Sequence, residues 1–142
     1  MPTKADARSW TWLFTAWVLA LVATLGALFI GEVMGQTPCV LCWYQRIAMF
    51  PLPAILGVGI YFGDKNGPFY SLPLAVSGAL IAAYHTALFY GFIPESIQPC
   101  TANGPSCSDA AMTIFGILPL PVLSLLTFAA IVFLLVLALR RS

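Results

Sequence analysis

Charge is what this sequence has least of. Six of its 142 residues are lysine or arginine, five are aspartate or glutamate and one is histidine, so charged residues make up 8% of the chain. A soluble globular domain carries about 25% charged residues, and that class is excluded. No basic patch exists to hold a nucleic acid. The basic residues are also missing from particular places, since none falls in 31–38 or 93–116. Cysteine is scarce as well: there are four, and none lies in the interior of an apolar stretch or in the polar turn at 63–68.

What fills the space is apolar. Hydrophobic residues are 61% of the chain, and the mean hydropathy is +0.94. Four stretches stand out: Trp12 to Ile30, Trp43 to Phe62, Leu72 to Phe92 and Ile117 to Leu139. Each supplies about the ~20 residues needed to cross ~30 Å of hydrocarbon as a helix. A chain in lipid must satisfy its own backbone groups, which leaves helices as the spanning form at this length. The expected fold is therefore all-α: one integral membrane domain over 1–142, a four-helix transmembrane bundle with helices near 12–30, 43–62, 72–92 and 117–139. The first stretch follows Lys4 and Arg8 as a secretory signal would, but its uncharged run exceeds the usual ~7–15-residue apolar core. It is read as helix one.

Basic residues orient the bundle. Lys4, Arg8, Lys65, Arg140 and Arg141 flank the two termini and the Gly63-Asp64-Lys65-Asn66-Gly67-Pro68 turn, all on one side. Cytoplasmic flanks of spanning helices are enriched in lysine and arginine, so both termini are expected in the cytoplasm. The connections near 31–38 and 93–116 then face outward, with Glu32 at the end of helix one as a proton-passing carboxylate or a simple interface marker. Trp10, Trp12 and Trp17 suit interfacial anchoring, while Gly26 and Gly31 suit close helix packing.

The chemistry-bearing stretch is Cys39-Val40-Leu41-Cys42-Trp43-Tyr44-Gln45-Arg46. Pro38 is compatible with a first turn, so a helix is expected from near Cys39 through Phe62, bent or opened at Pro51 and Pro53. Both thiols then sit at a helix N-terminus, where the dipole favours the reactive thiolate. Arg46 lies four residues past Cys42, on the same face and about 6 Å deeper. A disulfide staple and a snorkelling arginine are the plainer readings of the same residues. In helix three, His85 follows Tyr84 at a depth similar to that of Arg46. An ionisable residue in a membrane span is a functional candidate by default.

A second pair, Cys100 and Cys107, lies in the outward loop, separated by Thr101-Ala102-Asn103-Gly104-Pro105-Ser106. Ser108 is suited to cap a short interfacial helix over Asp109 to Phe115, and Pro119 and Pro121 suit the first turn of helix four. All four cysteines thus fall on the outer side, where disulfides persist. Short-range bridges would restrain the unfolded chain little. A four-thiolate zinc site is the inorganic alternative, which the six-residue spacing and the membrane-edge position disfavour.

The run Pro38-Cys39-Val40-Leu41-Cys42-Trp43-Tyr44-Gln45-Arg46-Ile47 followed by Pro51-Leu52, together with Tyr84-His85, Pro99-Cys100, Cys107-Ser108 and Phe115-Gly116, resembles the DsbB/BdbC family of disulfide bond formation proteins. The short second cysteine loop is more similar to the BdbC type. The resemblance implies a thiol:quinone oxidoreductase in the bacterial cytoplasmic membrane, one that reoxidises an extracytoplasmic thioredoxin-like disulfide donor and passes electrons to ubiquinone or menaquinone. It implies that Cys100 and Cys107 form the disulfide attacked by the partner, with Cys100 held in the mixed disulfide. Cys107 would then attack Cys39 and release Cys42 as a thiolate, with Arg46 and His85 near the quinone and no metal. A vitamin K epoxide reductase-like enzyme has its loop cysteines before the CxxC, opposite to the order here. A non-catalytic metal-binding assembly protein is the remaining alternative.

Overall fold

The computed structural model describes residues 4–33, 40–63, 66–90, 113–114 and 118–141. Helix α1 covers Lys4–Leu28 and passes into a wider π-helical turn, Phe29–Val33. Helices α2 (Val40–Met49) and α3 (Pro51–Phe62) form the second crossing, α4 (Gly67–Phe89) the third and α5 (Leu120–Arg141) the fourth. Four spans are long and apolar enough to cross a membrane: Trp10–Val33, Trp43–Phe62, Gly67–Ala87 and Pro121–Arg140. The protein is a helical membrane bundle. Helix α1 packs against α3 and α5, and α4 packs against α2, α3 and α5, which closes the four crossings into a ring.

The second crossing is two helices where sequence reasoning expected one. Phe50 keeps right-handed helical dihedrals (φ −63°, ψ −36°) and its N–H still bonds the Arg46 carbonyl at 2.8 Å. Pro51 and Pro53 have no N–H to give to Ile47 and Met49, so the hydrogen-bond ladder opens there. The indole of Trp17 fills part of this region: its Nε1 donates to the Pro53 carbonyl at 3.0 Å. Gly57 makes room, since a Cβ there would lie 3.0 Å from that nitrogen. Helix α3 stops at Gly63, whose φ of +65° is the left-handed conformation that glycine adopts without strain, and whose N–H bonds the Ile60 carbonyl at 3.3 Å.

Small residues set the spacing of the bundle. Ala16, Ala20, Ala75 and Ala82 are fully buried beside Leu52, Leu56, Ile131 and Leu135. Gly78 meets Phe128 so closely that an added Cβ would overlap the ring. Contacts of this kind let helices approach in lipid, where no hydrophobic drive pushes them together. Gly26 does not serve this purpose, because a Cβ there would meet nothing within 4 Å. Val22, Leu25, Ile47, Leu80, Leu126 and Phe133 are exposed, as lipid-facing side chains must be. Hydroxyls within the spans bond back to carbonyls four residues earlier, as in Ser71 to Gly67 (2.9 Å), Thr86 to Ala82 (2.8 Å) and Thr127 to Leu123 (2.8 Å). Each of these three hydroxyls is thereby satisfied within its own helix.

Before α5, Thr113–Ile114 (β1) pairs antiparallel with Leu118–Pro119 (β2), Thr113 opposite Pro119 and Ile114 opposite Leu118. The interfacial helix expected over Asp109 to Phe115 lies mostly outside the described residues, and its two described members are extended instead. Both are β-branched, which favours this backbone over a helix. Pro119 accordingly stands just ahead of α5, and Pro121 alone occupies the first turn.

Candidate functional site

The residues singled out in the sequence fall into three groups. Cys39, Cys100 and Cys107 lie outside the described residues. Cys42 is on α2, one turn before Arg46, and its place is fixed by the helix backbone alone. Arg46 and His85 are both placed in full.

Arg46 is half-buried and turns toward α1. Its Nη2 donates to the Ala27 carbonyl at 3.0 Å. Gly31 makes this approach possible, because a Cβ at that position would lie 2.9 Å from Nη2 and 3.2 Å from Nη1. Ala27 is in the last turn of α1 and Gly31 lies in the wide turn that follows, so the guanidinium rests on bare backbone where the two meet. On its other side the Trp43 ring lies 5.5 Å from Cζ, within cation–π range. Gly31 was expected to serve helix–helix packing; it receives an arginine side chain instead. Glu32, in the same turn, is exposed, and no carboxylate pairs with Arg46 among the described residues. Four of the five guanidinium N–H donors therefore have no partner among the described residues.

His85 is buried, with 1% of its surface exposed. Its Nδ1 is 2.8 Å from Nε2 of Gln45, which is itself buried on α2. The other end of that amide, Oε1, accepts a hydrogen bond from the Ser124 hydroxyl on α5. Donor and acceptor roles between Gln45 Nε2 and His85 Nδ1 follow the imidazole tautomer. One side chain thus ties α2 to both α4 and α5. Gln45 appears in the sequence motif without a role of its own, and Ser124 carries no sequence signal, since its partner is 79 residues away.

The two clusters occupy one end of the bundle. Arg46 is six residues into α2 and His85 four residues from the end of α4, or about 9 Å and 6 Å along their helices. They do not share partners: Gln45 and Arg46, adjacent on α2, turn one toward α4 and α5 and the other toward α1.

A fixed cation that meets no carboxylate among the described residues, inside an apolar span, is worth far more to a developing negative charge than the same cation in water. The ligand that suits this site is lipid-soluble and uncharged at rest, and gains negative charge on oxygen as it reacts. The residues present fit a quinone by that standard. Among the described residues no group of three or more His, Cys, Asp or Glu is placed to hold a metal ion.

Comparison with known proteins gives a consistent relationship. The family model described as "Disulfide bond formation protein DsbB" matches residues 8–138. A "Probable disulfide formation protein" of Metapseudomonas resinovorans is 53% identical over 142 residues, covering 100% of this chain and 99% of that one. "Disulfide bond formation protein C" of Bacillus subtilis is 41% identical over 122 residues, covering 84% of this chain and 86% of that one. A "Probable disulfide formation protein" of Deinococcus radiodurans is 40% identical over 133 residues, with 88% and 86% coverage. No solved structure gives a significant match.

Proposed function

This chain belongs to the DsbB family of disulfide bond formation proteins, and from that premise we propose that it couples disulfide formation outside the cytoplasm to the reduction of membrane quinone. Arg46 carries the reading. It is a cation inside a spanning segment, one turn from Cys42 on the same helix, held by a backbone carbonyl and an indole with donors to spare. A structural disulfide needs no such group beneath it.

The relay runs through the four cysteines. A thiolate of a thioredoxin-fold partner attacks Cys100, forming the mixed disulfide and releasing Cys107 as a thiolate. Cys107 then attacks Cys39 of the Cys39–Cys42 disulfide, and Cys42 leaves as a thiolate. The partner's second thiol resolves the mixed disulfide, and the freed Cys100 attacks Cys107 to restore the loop disulfide and leave Cys39 and Cys42 reduced. The quinone, when bound, takes the two electrons and two protons that return this pair to the disulfide. Arg46 holds positive charge beside the Cys42 thiolate and the oxygen that becomes negative. His85, held against Gln45 at the same end of the bundle, is the second group we assign to the quinone side.

This chemistry requires the cysteines to face outward and the Lys65 turn to face the cytoplasm, as the flanking basic residues argue. In a variant without the four native cysteines, an impermeant thiol reagent applied to intact cells is expected to label a cysteine replacing Asn103 and not one replacing Lys65. The reverse pattern overturns the orientation.

The experiment that separates the relay from a metal-binding role is a thiol and metal count on purified, denatured protein. A relay enzyme as isolated with oxidant shows no free thiols, gains four on reduction, and carries no stoichiometric zinc. Four thiols accompanied by one zinc would identify a ligand set and end the redox reading.

A further inference from the structure

We propose that Gly31 is a positioning residue, the seat that fixes the Arg46 guanidinium for quinone reduction. The proposal deepens the function above and rests on Arg46 acting at the quinone. Three observations meet at one point. Nη2 of Arg46 donates to the Ala27 carbonyl at 3.0 Å. The same nitrogen is the nearest atom, at 2.9 Å, to a Cβ built at Gly31, with Nη1 at 3.2 Å. The chain at this place is the π-helical turn Phe29–Val33, a rare form that is frequently found at functional sites.

Separations under 3.0 Å are not sustained by real Cβ atoms, so any side chain at 31 displaces the guanidinium. The displaced group is the free end of a flexible side chain, and it can move without disturbing the packing around it. The expected consequence is a shift of charge with little change in stability. An ordinary packing glycine predicts the opposite. Gly26, one to two turns earlier on the same helix, supplies the control, because a Cβ there meets open space.

The test compares Gly31→Ala with Gly26→Ala in full-length protein, each also combined with Arg46→Lys. Gly31→Ala is expected to raise the half-saturating concentration of quinone about tenfold, the scale of one lost hydrogen bond to a charged group. Thermal stability and the rate of partner exchange should stay unchanged. Gly26→Ala should lie within about twofold of the parent, in keeping with an exposed helix glycine. Lysine keeps the charge but has no planar fork to meet a methyl at 31, so Gly31→Ala should add little in the Arg46→Lys background. Side-chain nitrogen NMR provides a readout without turnover: the Arg46 Nη signals, distinct while Nη2 is held by Ala27, should merge in Gly31→Ala and stay distinct in Gly26→Ala.

Three results would overturn the proposal. One is parental quinone kinetics with distinct Nη signals in Gly31→Ala. Another is an equal loss in the lysine background, and the third is a loss shared by the partner step with a lowered melting temperature. Failure of the parent reading has a different signature, in which Arg46→Lys and Arg46→Gln themselves leave quinone kinetics untouched whatever stands at position 31.

Discussion

Replacing Arg46 with glutamine is expected to slow quinone reduction about 10²- to 10³-fold, the loss found when one preorganised donor to a developing oxyanion is removed. Between residues 9 and 139 the only lysine or arginine besides Arg46 is Lys65, in the turn after α3, so no neighbouring fixed cation can substitute for its charge. Glutamine retains a donor for the Ala27 carbonyl and much of the packing volume, which leaves the helix contacts in place. Two effects act in one direction. The thiolate of Cys42 loses a neighbouring cation, and the acceptor oxygen loses the charge that would stabilise it. Exchange between the partner and the Cys100–Cys107 pair involves neither, and its rate should be unchanged. Arg46→Lys should recover part of the loss, since it restores charge without the planar, multi-donor geometry. The measurement is steady-state turnover with reduced partner and varied quinone, beside a quinone-free assay of partner exchange. Parental quinone kinetics in Arg46→Gln would reduce Arg46 to a membrane anchor.

Changing Cys107 to serine is expected to trap the partner. Without its loop mate, Cys100 attacks the oxidised partner's disulfide and displaces the partner's second thiolate; no Cys107 thiol competes to release Cys100, so a covalent partner–Cys100 adduct accumulates and turnover falls to background. The thiol nucleophile and its leaving group decide such exchanges, and here one of the two has been removed. Cys100→Ser should give no adduct, because Cys107 is assigned to the internal transfer. Non-reducing gels and peptide mapping read the outcome. An adduct located at Cys39 would reverse the order of the relay.

The four crossings were legible because lipid imposes a length and a composition that few other structures share. Trp43 to Phe62 is apolar from end to end except at Gln45 and Arg46, and those exceptions mark the site. The opening at Phe50 was legible too, since Pro51 and Pro53 cannot complete the ladder. What sequence could not give was the direction in which each polar residue turns. Arg46 and His85 sit near one depth, yet they belong to separate clusters, because consecutive positions on α2 point about 100° apart. The bond from Ser124 to Gln45 joins residues on helices far apart in the chain, and no local periodicity announces it. Gly31 reads as one more small residue among many until the arginine is seen to lie where its side chain would have been. The segment at Thr113–Ile114 was misread because amphipathic spacing was weighed above two β-branched residues.

The central claim is that electrons from the partner reach quinone through Cys42. It is tested most directly by mixing purified protein under argon with reduced partner and a soluble quinone, then counting quinol by its absorbance against the partner disulfide formed. Two-electron chemistry at both ends predicts one quinol for each partner disulfide, and none from Cys42→Ser protein. Partner oxidation without quinol, or quinol formed at the parental rate by Cys42→Ser, would contradict it.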